Sequence, residues 1–230
     1  MLTNLKKTLA LIFYPVGMLV LPLVISLIIV IIRGYELSLD AGSDFINANI
    51  IAAGISYGIL CLALLIVTFN VFRKDWGEIK SWSKLCLQML IGILCTFVMS
   101  FFGNWLVTLF GTTEIAMNQQ LAQDSLSAFP VLMILTVVVF GPVVEEIVFR
   151  LVLMNLFKWK PVYNIIFSGF IFGLMHVLVG GLIHIIPYFL MGLVFGIYYD
   201  RFKNIWHVTI LHILHNGLAV GLFFLYQTLY

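Results

Sequence analysis

The chain has 230 residues, of which 63% are hydrophobic and only 10% are charged, and its formal net charge is +2. Soluble domains carry about 25% charged residues, so this composition excludes an ordinary soluble protein and predicts an integral membrane protein. The small, dispersed charge excludes a nucleic-acid surface, and Cys61, Cys86 and Cys95 lack the spacing of a zinc site and the even number of a disulfide framework.

Seven apolar stretches are long enough to cross a bilayer, which requires about 17 to 25 helical residues. They cover residues 8–32, 46–72, 85–110, 129–157, 162–180, 182–200 and 205–228. The first stretch is longer than the apolar core of a signal peptide, so we interpret it as a retained span. Gly141 and Pro142 interrupt the fourth, since proline removes a helical hydrogen bond. The predicted fold is an all-α, polytopic membrane helix bundle of about seven transmembrane helices, or eight if the fourth stretch divides.

The chain is predicted to form a single integral membrane domain over residues 1–230, because no internal repeat or flexible linker divides it. Residues 1–128 supply N-terminal helices without specific motifs, and residues 129–221 carry the polar motifs. Residues 72–85, FRKDWGEIKSWSKL, mix tryptophan with lysine. This mixture fits either a helix lying along the inner interface or an ordinary cytoplasmic loop.

The orientation follows from the basic residues in the short loops, since cytoplasmic loops carry an excess of lysine and arginine. With the N-terminus inside, the outer loops hold only Arg33. The inner loops then hold Lys6, Lys7, Arg73, Lys74, Lys80, Lys84, Lys158, Lys160, Arg201 and Lys203. The sequence therefore predicts a cytoplasmic N-terminus, and an outer C-terminus if there are seven spans.

Polar and charged side chains recur inside the later apolar stretches. A charge at the bilayer centre costs roughly 2.5 to 3.5 kcal/mol on insertion scales, so such residues are expected to face the bundle interior and to mark function. The set consists of Glu145, Glu146, Arg150, His176, His184, His212, His215 and Asn216. The alternative is a buried packing network, or an arginine that snorkels to the interface.

Spacing predicts that the two adjacent glutamates have different roles. Glu146 precedes Arg150 by four residues, which is the favoured order for a helical ion pair. Glu145 is rotated by about 100 degrees and stays available for another partner. From a rise of 1.5 Å per residue, Glu145, His176 and His212 lie about 15, 20 and 12 Å from the inner ends of their helices. We therefore expect these three side chains to converge on one pocket.

Such a pocket could support hydrolysis. Phe172 lies four residues before His176, and His212 lies four residues before Asn216, so each pair shares a helix face. Glu145 could act as a general base toward a water that His176 also holds. His212 and Asn216 could donate hydrogen bonds to the oxyanion of the tetrahedral intermediate.

Two other catalytic arrangements remain open at this point. A glutamate and two histidines could ligate zinc with one open position, although the HExxH spacing of helical metalloproteases is absent. Ser168 in FSGF could be a nucleophile, but the GxSxG pattern is absent and no base is evident beside it.

The ordered motifs EExxxR in EEIVFR, FxxxH in FGLMH and HxxxN in HILHN resemble the CPBP intramembrane proteases. This family includes the type II CAAX prenyl endopeptidases and bacterial proteins formerly called abortive-infection or bacteriocin self-immunity proteins. The resemblance covers residues 129–221. It implies a glutamate-type, metal-independent endopeptidase whose active site opens toward the cytosolic half of the membrane. The implied catalytic residues are Glu145, His176, His212 and Asn216, and the supporting residues are Glu146, Arg150 and Phe172.

The expected partners are the lipid bilayer and a membrane-associated peptide or protein substrate. No cofactor is expected, with zinc as the lesser alternative, and no nucleic acid. A bacterial plasma membrane is the expected location, because the loops are short and no organelle signal is visible. The alternative function is a bacteriocin-immunity or peptide-binding membrane protein without catalysis. A proton-coupled transporter is not favoured, since inverted repeats are not visible.

Overall fold

The computed structural model describes residues 20–33, 42–111, 114–178 and 180–229, together with positions 10, 14 and 17. None of these residues lies in a β-strand. They form helices α1 (Leu21–Arg33), α2 (Gly42–Gly77), α3 (Trp82–Leu109), α4 (Met117–Ala128), α5 (Pro130–Asn155), α6 (Pro161–His176), α7 (Ile185–Phe202) and α8 (Ile205–Leu229). The predicted all-α membrane bundle is confirmed.

Five of these helices are long and apolar enough to cross a membrane, namely α2, α3, α5, α7 with the short turn before it, and α8. The α6 helix is apolar but shorter, with 16 residues, and α1 has 13. The beginning of the first predicted span lies outside the described residues, except for positions 10, 14 and 17. The predicted cytoplasmic N-terminus stays a prediction.

The eighth helix arises from a segment that the hydropathy pattern does not identify. The α4 sequence, MNQQLAQDSLSA, is too polar to cross a bilayer. The fourth predicted stretch does not divide, because residues Pro130–Asn155 form one continuous helical span. The described residues therefore form eight helices because α4 is added, whereas the eighth transmembrane helix expected from a break at Pro142 is not formed.

The segment at residues 72–85 forms neither a separate interfacial helix nor an extended loop. Instead, α2 continues to Gly77 and α3 begins at Trp82, which leaves four connecting residues. Ser81 caps α3 by accepting a hydrogen bond from the Lys84 backbone N–H. The rings of Trp76 and Trp82 pack edge to face, with centroids 5.4 Å apart. The two long helices are thus joined by a tight turn.

Polar groups join the end of α2 to the beginning of α8. The Asp75 carboxylate accepts a hydrogen bond of 2.8 Å from the Ile205 backbone N–H, and Asn204 donates to the Asp75 carbonyl at 2.7 Å. The Trp206 indole donates to the Phe72 carbonyl at 2.8 Å. A carboxylate at a helix N-terminus satisfies an otherwise unpaired N–H group. This junction fixes the beginning of α8 against α2.

The α5 helix forms the centre of the bundle, and residues 141–154 are all buried. Two wide π-helical turns, Leu135–Phe140 and Ile147–Val152, flank the α-helical turn Gly141–Glu146. Such turns are rare and occur frequently at functional sites. Here they lie immediately before and after the pair of glutamates.

Pro142 and the first wide turn leave one backbone carbonyl of α5 without a donor from its own helix. The Gly141 N–H bonds to the Thr136 carbonyl, and Pro142 has no N–H, so neither can serve the carbonyl of Val137. Asn216 from α8 donates its side-chain amide to that carbonyl at 2.8 Å. Because unsatisfied backbone groups are costly in a membrane, this bond holds α8 against α5.

Glycines let α6 and α7 approach until their backbones touch. A Cβ atom added to Gly192 would lie 2.9 Å from the Cα of Gly169, and one added to Gly173 would lie 2.9 Å from the Phe189 nitrogen. Small residues permit this close packing of membrane helices. The contact sets the position of the C-terminal end of α6, where His176 lies.

Candidate active site

Glu146 lies at the centre of a fully buried charge cluster. One carboxylate oxygen, Oε2, is 3.1 Å from Arg150 Nε, and neither side chain is exposed. This contact is an ion pair without the alignment of a hydrogen bond. The other oxygen, Oε1, accepts a hydrogen bond of 2.7 Å from His212 Nδ1. Both oxygens of Glu146 therefore face cationic or donor groups.

Arg150 is held by further contacts that are unusual for a charge inside a membrane helix. Its Nη1 donates to Ser168 Oγ at 2.5 Å, and Ser168 Oγ donates in turn to the Phe149 carbonyl at 2.9 Å. The guanidinium carbon lies 5.3 Å from the Phe172 ring centroid and 5.9 Å from that of Phe195. These distances suit cation–π attraction.

Ser168 is thus a structural partner of Arg150. Its hydroxyl proton points to a carbonyl and its oxygen faces a guanidinium, so no base activates it. The arrangement does not fit the serine-nucleophile alternative.

Glu145 faces two histidines from two other helices. Its Oε2 lies 4.0 Å from His176 Nε2 on α6 and 3.8 Å from His212 Nε2 on α8. These separations are too long for direct hydrogen bonds, but they suit a bridging water. The Glu145 side chain is 12% exposed, whereas that of Glu146 is fully buried. Within the described ranges, Glu145 has no lysine or arginine partner.

Hydrogen bonds fix which ring nitrogen of each histidine carries a proton. His176 Nδ1 lies 2.8 Å from the Phe172 carbonyl, which can only accept, so Nδ1 carries the proton. In a neutral ring, His176 Nε2 then presents a lone pair toward Glu145. His212 Nδ1 likewise donates to the Glu146 carboxylate. The Nε2 atoms of both histidines therefore face Glu145 Oε2.

Aromatic side chains of α6 and α7 frame both imidazoles. The His176 ring lies 4.4 Å from Phe172 and 4.5 Å from Tyr188, the latter nearly parallel at 25°. His212 stacks on Phe195 at 4.4 Å and 25°. Tyr188 and Phe195 are not among the site residues predicted from the sequence. Their spacing of seven residues, two helical turns, was the available signal that both lie on one face of α7.

The other polar residues of α8 make separate contacts. Asn216, one turn beyond His212, donates to the Val137 carbonyl, and its amide carries a second N–H. His215 Nδ1 donates to Thr96 Oγ1 at 3.0 Å, because that hydroxyl gives its own proton to a backbone carbonyl. His215 therefore joins α8 to α3.

His184 also lies apart from the cluster. It precedes α7 and lines a different cavity, which is bordered by residues before and within α4. Glu145, Glu146, Arg150, Phe172, His176 and His212 form the cluster. In the part of the chain that the structure describes, no group of three or more histidine, cysteine or acidic side chains is arranged to hold a metal ion.

Fold and site together define a multi-pass helical membrane protein whose central helices carry a buried carboxylate–histidine centre. Residues 127–218 match the family model described as type II CAAX prenyl endopeptidase Rce1-like. This range contains all three motifs. The predicted resemblance to the CPBP family is confirmed, and these helices are similar to those of type II CAAX prenyl endopeptidases.

Two curated proteins resemble the chain more extensively. The protein named "Putative membrane peptidase YdiL" of Bacillus subtilis (strain 168) is 27% identical over 195 residues, which cover 81% of this chain and 77% of that protein. An uncharacterized protein of Mycoplasma capricolum subsp. capricolum (strain California kid) is 28% identical over 177 residues, covering 70% of this chain and 52% of its own length. No solved structure was found to match the chain.

Proposed function

We propose that this protein is a glutamate-type intramembrane endopeptidase, which cleaves a membrane-associated peptide or protein without a metal. The observation that carries the proposal is the position of Glu145 Oε2 within 4.0 Å of one histidine Nε2 and 3.8 Å of another. The family match and the name of the Bacillus relative support a peptidase. The short loops and this relative support a bacterial plasma membrane as its location.

The charge balance of the centre suggests a protonation state for catalysis. Glu145 and Glu146 together carry two negative charges, and Arg150 carries one positive charge. A protonated His212 would bring the net charge to zero, which lowers the cost of burying the cluster. Its Nδ1–H already faces Glu146, so its Nε2–H would point into the site. His176 would remain neutral, with its Nε2 lone pair available to a water.

Hydrolysis can then proceed with every proton accounted for. A water between Glu145 and His176 gives one proton to Glu145, and its oxygen attacks the scissile carbonyl carbon. The carbonyl oxygen becomes an oxyanion, which accepts hydrogen bonds from His212 Nε2–H and from the second amide N–H of Asn216. As the C–N bond breaks, Glu145 returns the proton to the leaving nitrogen. The products are a carboxylic acid and an amine.

The supporting residues act through the catalytic ones. Glu146 fixes the orientation of His212 by accepting its Nδ1–H, and Arg150 supplies the positive charge beside Glu146. Phe172 accepts the His176 Nδ1–H through its carbonyl, and its ring contacts both His176 and Arg150. Removing any of these contacts is expected to misplace an imidazole by a fraction of an ångström, which is enough to slow a positioned reaction.

The test is cleavage of defined peptides by protein reconstituted in liposomes. A farnesylated peptide ending in a CAAX sequence and a hydrophobic leader-type peptide without lipid serve as the two probes, and mass spectrometry detects the products. Wild type is compared with Glu145→Gln and with wild type treated with a chelator. We expect cleavage of at least one probe by wild type, with or without chelator, and none by Glu145→Gln.

Three results would count against the proposal. Undiminished cleavage by Glu145→Gln would show that Glu145 is not the general base. Activity that disappears with chelator and returns with zinc would overturn the metal-independent mechanism. Tight binding of both probes without any product would instead favour a peptide-binding or immunity protein.

A further inference from the structure

A second polar cavity lies away from the charge cluster, on the side that the predicted orientation places outside the cell. Its volume is about 430 Å³. The lining residues come from the segment leading into α4 and from the connection between α6 and α7: Glu114, Ile115, Met117, Gln120, Gly181 and His184. The catalytic mechanism proposed above uses none of them.

One of the lining residues, His184, is a buried histidine whose Nδ1 has no partner among the described residues. His184 is only 4% exposed, and its Nδ1 makes no hydrogen bond to any described residue. Gly181 makes room for the ring, since a Cβ there would lie 3.0 Å from His184 Cδ2. Gly181 also has a φ of +75°, which favours glycine. The ring edge that faces the cavity residue Gly181 carries Cδ2 and Nε2, at 3.0 and 3.9 Å from a Cβ placed on Gly181, so Nε2 is the nitrogen that a ligand group can reach.

Charge indicates which kind of ligand the cavity would accept. Glu114 supplies a carboxylate at the rim, and Gln120 supplies an amide. Residues 110–129 contain Glu114 and Asp124 but no lysine or arginine. A carboxylate repels anions and attracts an ammonium or guanidinium group, which can also donate to an imidazole nitrogen and to an amide oxygen. The volume suits an organic group of side-chain size.

The cavity and the candidate active site both border the beginning of α7. His184 lies four residues before Tyr188, about one helical turn. The Tyr188 ring stacks on His176, and its hydroxyl lies near Asn118 on α4, next to the cavity residue Met117. A ligand in the cavity would therefore lie about one turn outward from the Tyr188–His176 pair.

We propose that this outer cavity is a substrate subsite, which binds a positively charged group of the peptide on the outer side of the scissile bond. The assignment rests on the proposed peptidase function. The group is a lysine or arginine side chain, or the ammonium of a free N-terminus. Glu114 attracts it, and His184 Nε2 and Gln120 accept its hydrogen bonds.

Binding tests this subsite without requiring cleavage. The inactive Glu145→Gln protein in nanodiscs is titrated with two fluorescent transmembrane peptides that differ only in lysine or norleucine at the outer end. Since an exposed ion pair contributes up to about 1 kcal/mol, the lysine peptide is expected to bind about three- to fivefold more tightly. A second pair of peptides, with a free or acetylated N-terminus at that end, distinguishes the two sources of charge.

Glu114→Gln in the same background is expected to abolish the preference. The matched control is Asp124→Asn, which removes an equally exposed acid of α4 that does not line the cavity, and it should retain the preference. Equal affinity for charged and uncharged peptides would overturn the proposal. A preference that survives Glu114→Gln, or that Asp124→Asn also removes, would overturn it as well. Because binding is measured in an inactive variant, failure of wild type to cleave peptides would affect only the proposed function.

Discussion

Replacement of Arg150 by methionine should strongly destabilise the protein, because it leaves a buried carboxylate without its counter-charge. Arg150 and Glu146 are both fully buried, and their closest atoms are 3.1 Å apart. Removing one partner of such a pair typically costs about 3 to 5 kcal/mol. Ser168 contributes little to this loss, since its hydroxyl still donates to the Phe149 carbonyl. We expect Arg150→Met to lose about 3 to 5 kcal/mol of unfolding free energy.

The chain provides a matched control for this substitution. Lys74 and Glu78 form an ion pair of 3.4 Å with the same four-residue spacing, but their side chains are 74% and 51% exposed. Lys74→Met should therefore change stability by less than about 1 kcal/mol. The double variant Glu146→Gln, Arg150→Met removes both charges and should recover a large part of the loss.

Reversible unfolding in lipid bicelles measures the free energies of all these variants. A loss below about 1 kcal/mol in Arg150→Met would refute the reasoning. A double variant that is less stable than Arg150→Met would refute it too, since the unpaired charge would then not be the cause.

Three further predictions concern catalysis and packing. Glu145→Gln should lower the cleavage rate by about 10²- to 10⁴-fold in a product assay while leaving the unfolding free energy almost unchanged. Asn216→Ala leaves the Val137 carbonyl unpaired, so it should cost about 1 to 3 kcal/mol in bicelle unfolding. Tyr188→Leu should lower kcat, whereas Tyr188→Phe, which keeps the stacked ring, should retain most of it; equal effects would exclude a role for stacking.

Local sequence patterns predict the spans and one of the contacts in the site. Long apolar runs identify the membrane helices, because a bilayer requires a minimum apolar length. The spacing of Glu146 and Arg150 predicts their ion pair, since residues four apart are neighbours on any helix. The α4 helix has no apolar run, so the pattern that finds the other helices does not detect it.

The spacing of residues along the sequence could not predict which side chains of different helices contact each other. The bond from His212 to Glu146 depends on how α8 packs against α5, and the motif only placed each residue on its own helix. Pro142 indicated an irregularity, but the carbonyl that it leaves free and the Asn216 amide that serves it become evident only in the folded chain. His184 has a residue type typical of a site, yet the fold places it at another cavity.

The backbone contact between α6 and α7 limits the routes by which a substrate could reach the candidate active site from the lipid. With Gly169 and Gly192 in direct contact, a peptide could pass between these helices only by separating them. This contact therefore closes the route between α6 and α7, and any lateral entry to the site must lie between other helices. A bulky residue introduced at Gly192 would push α6 away from α7 and shift His176 without touching the reacting groups.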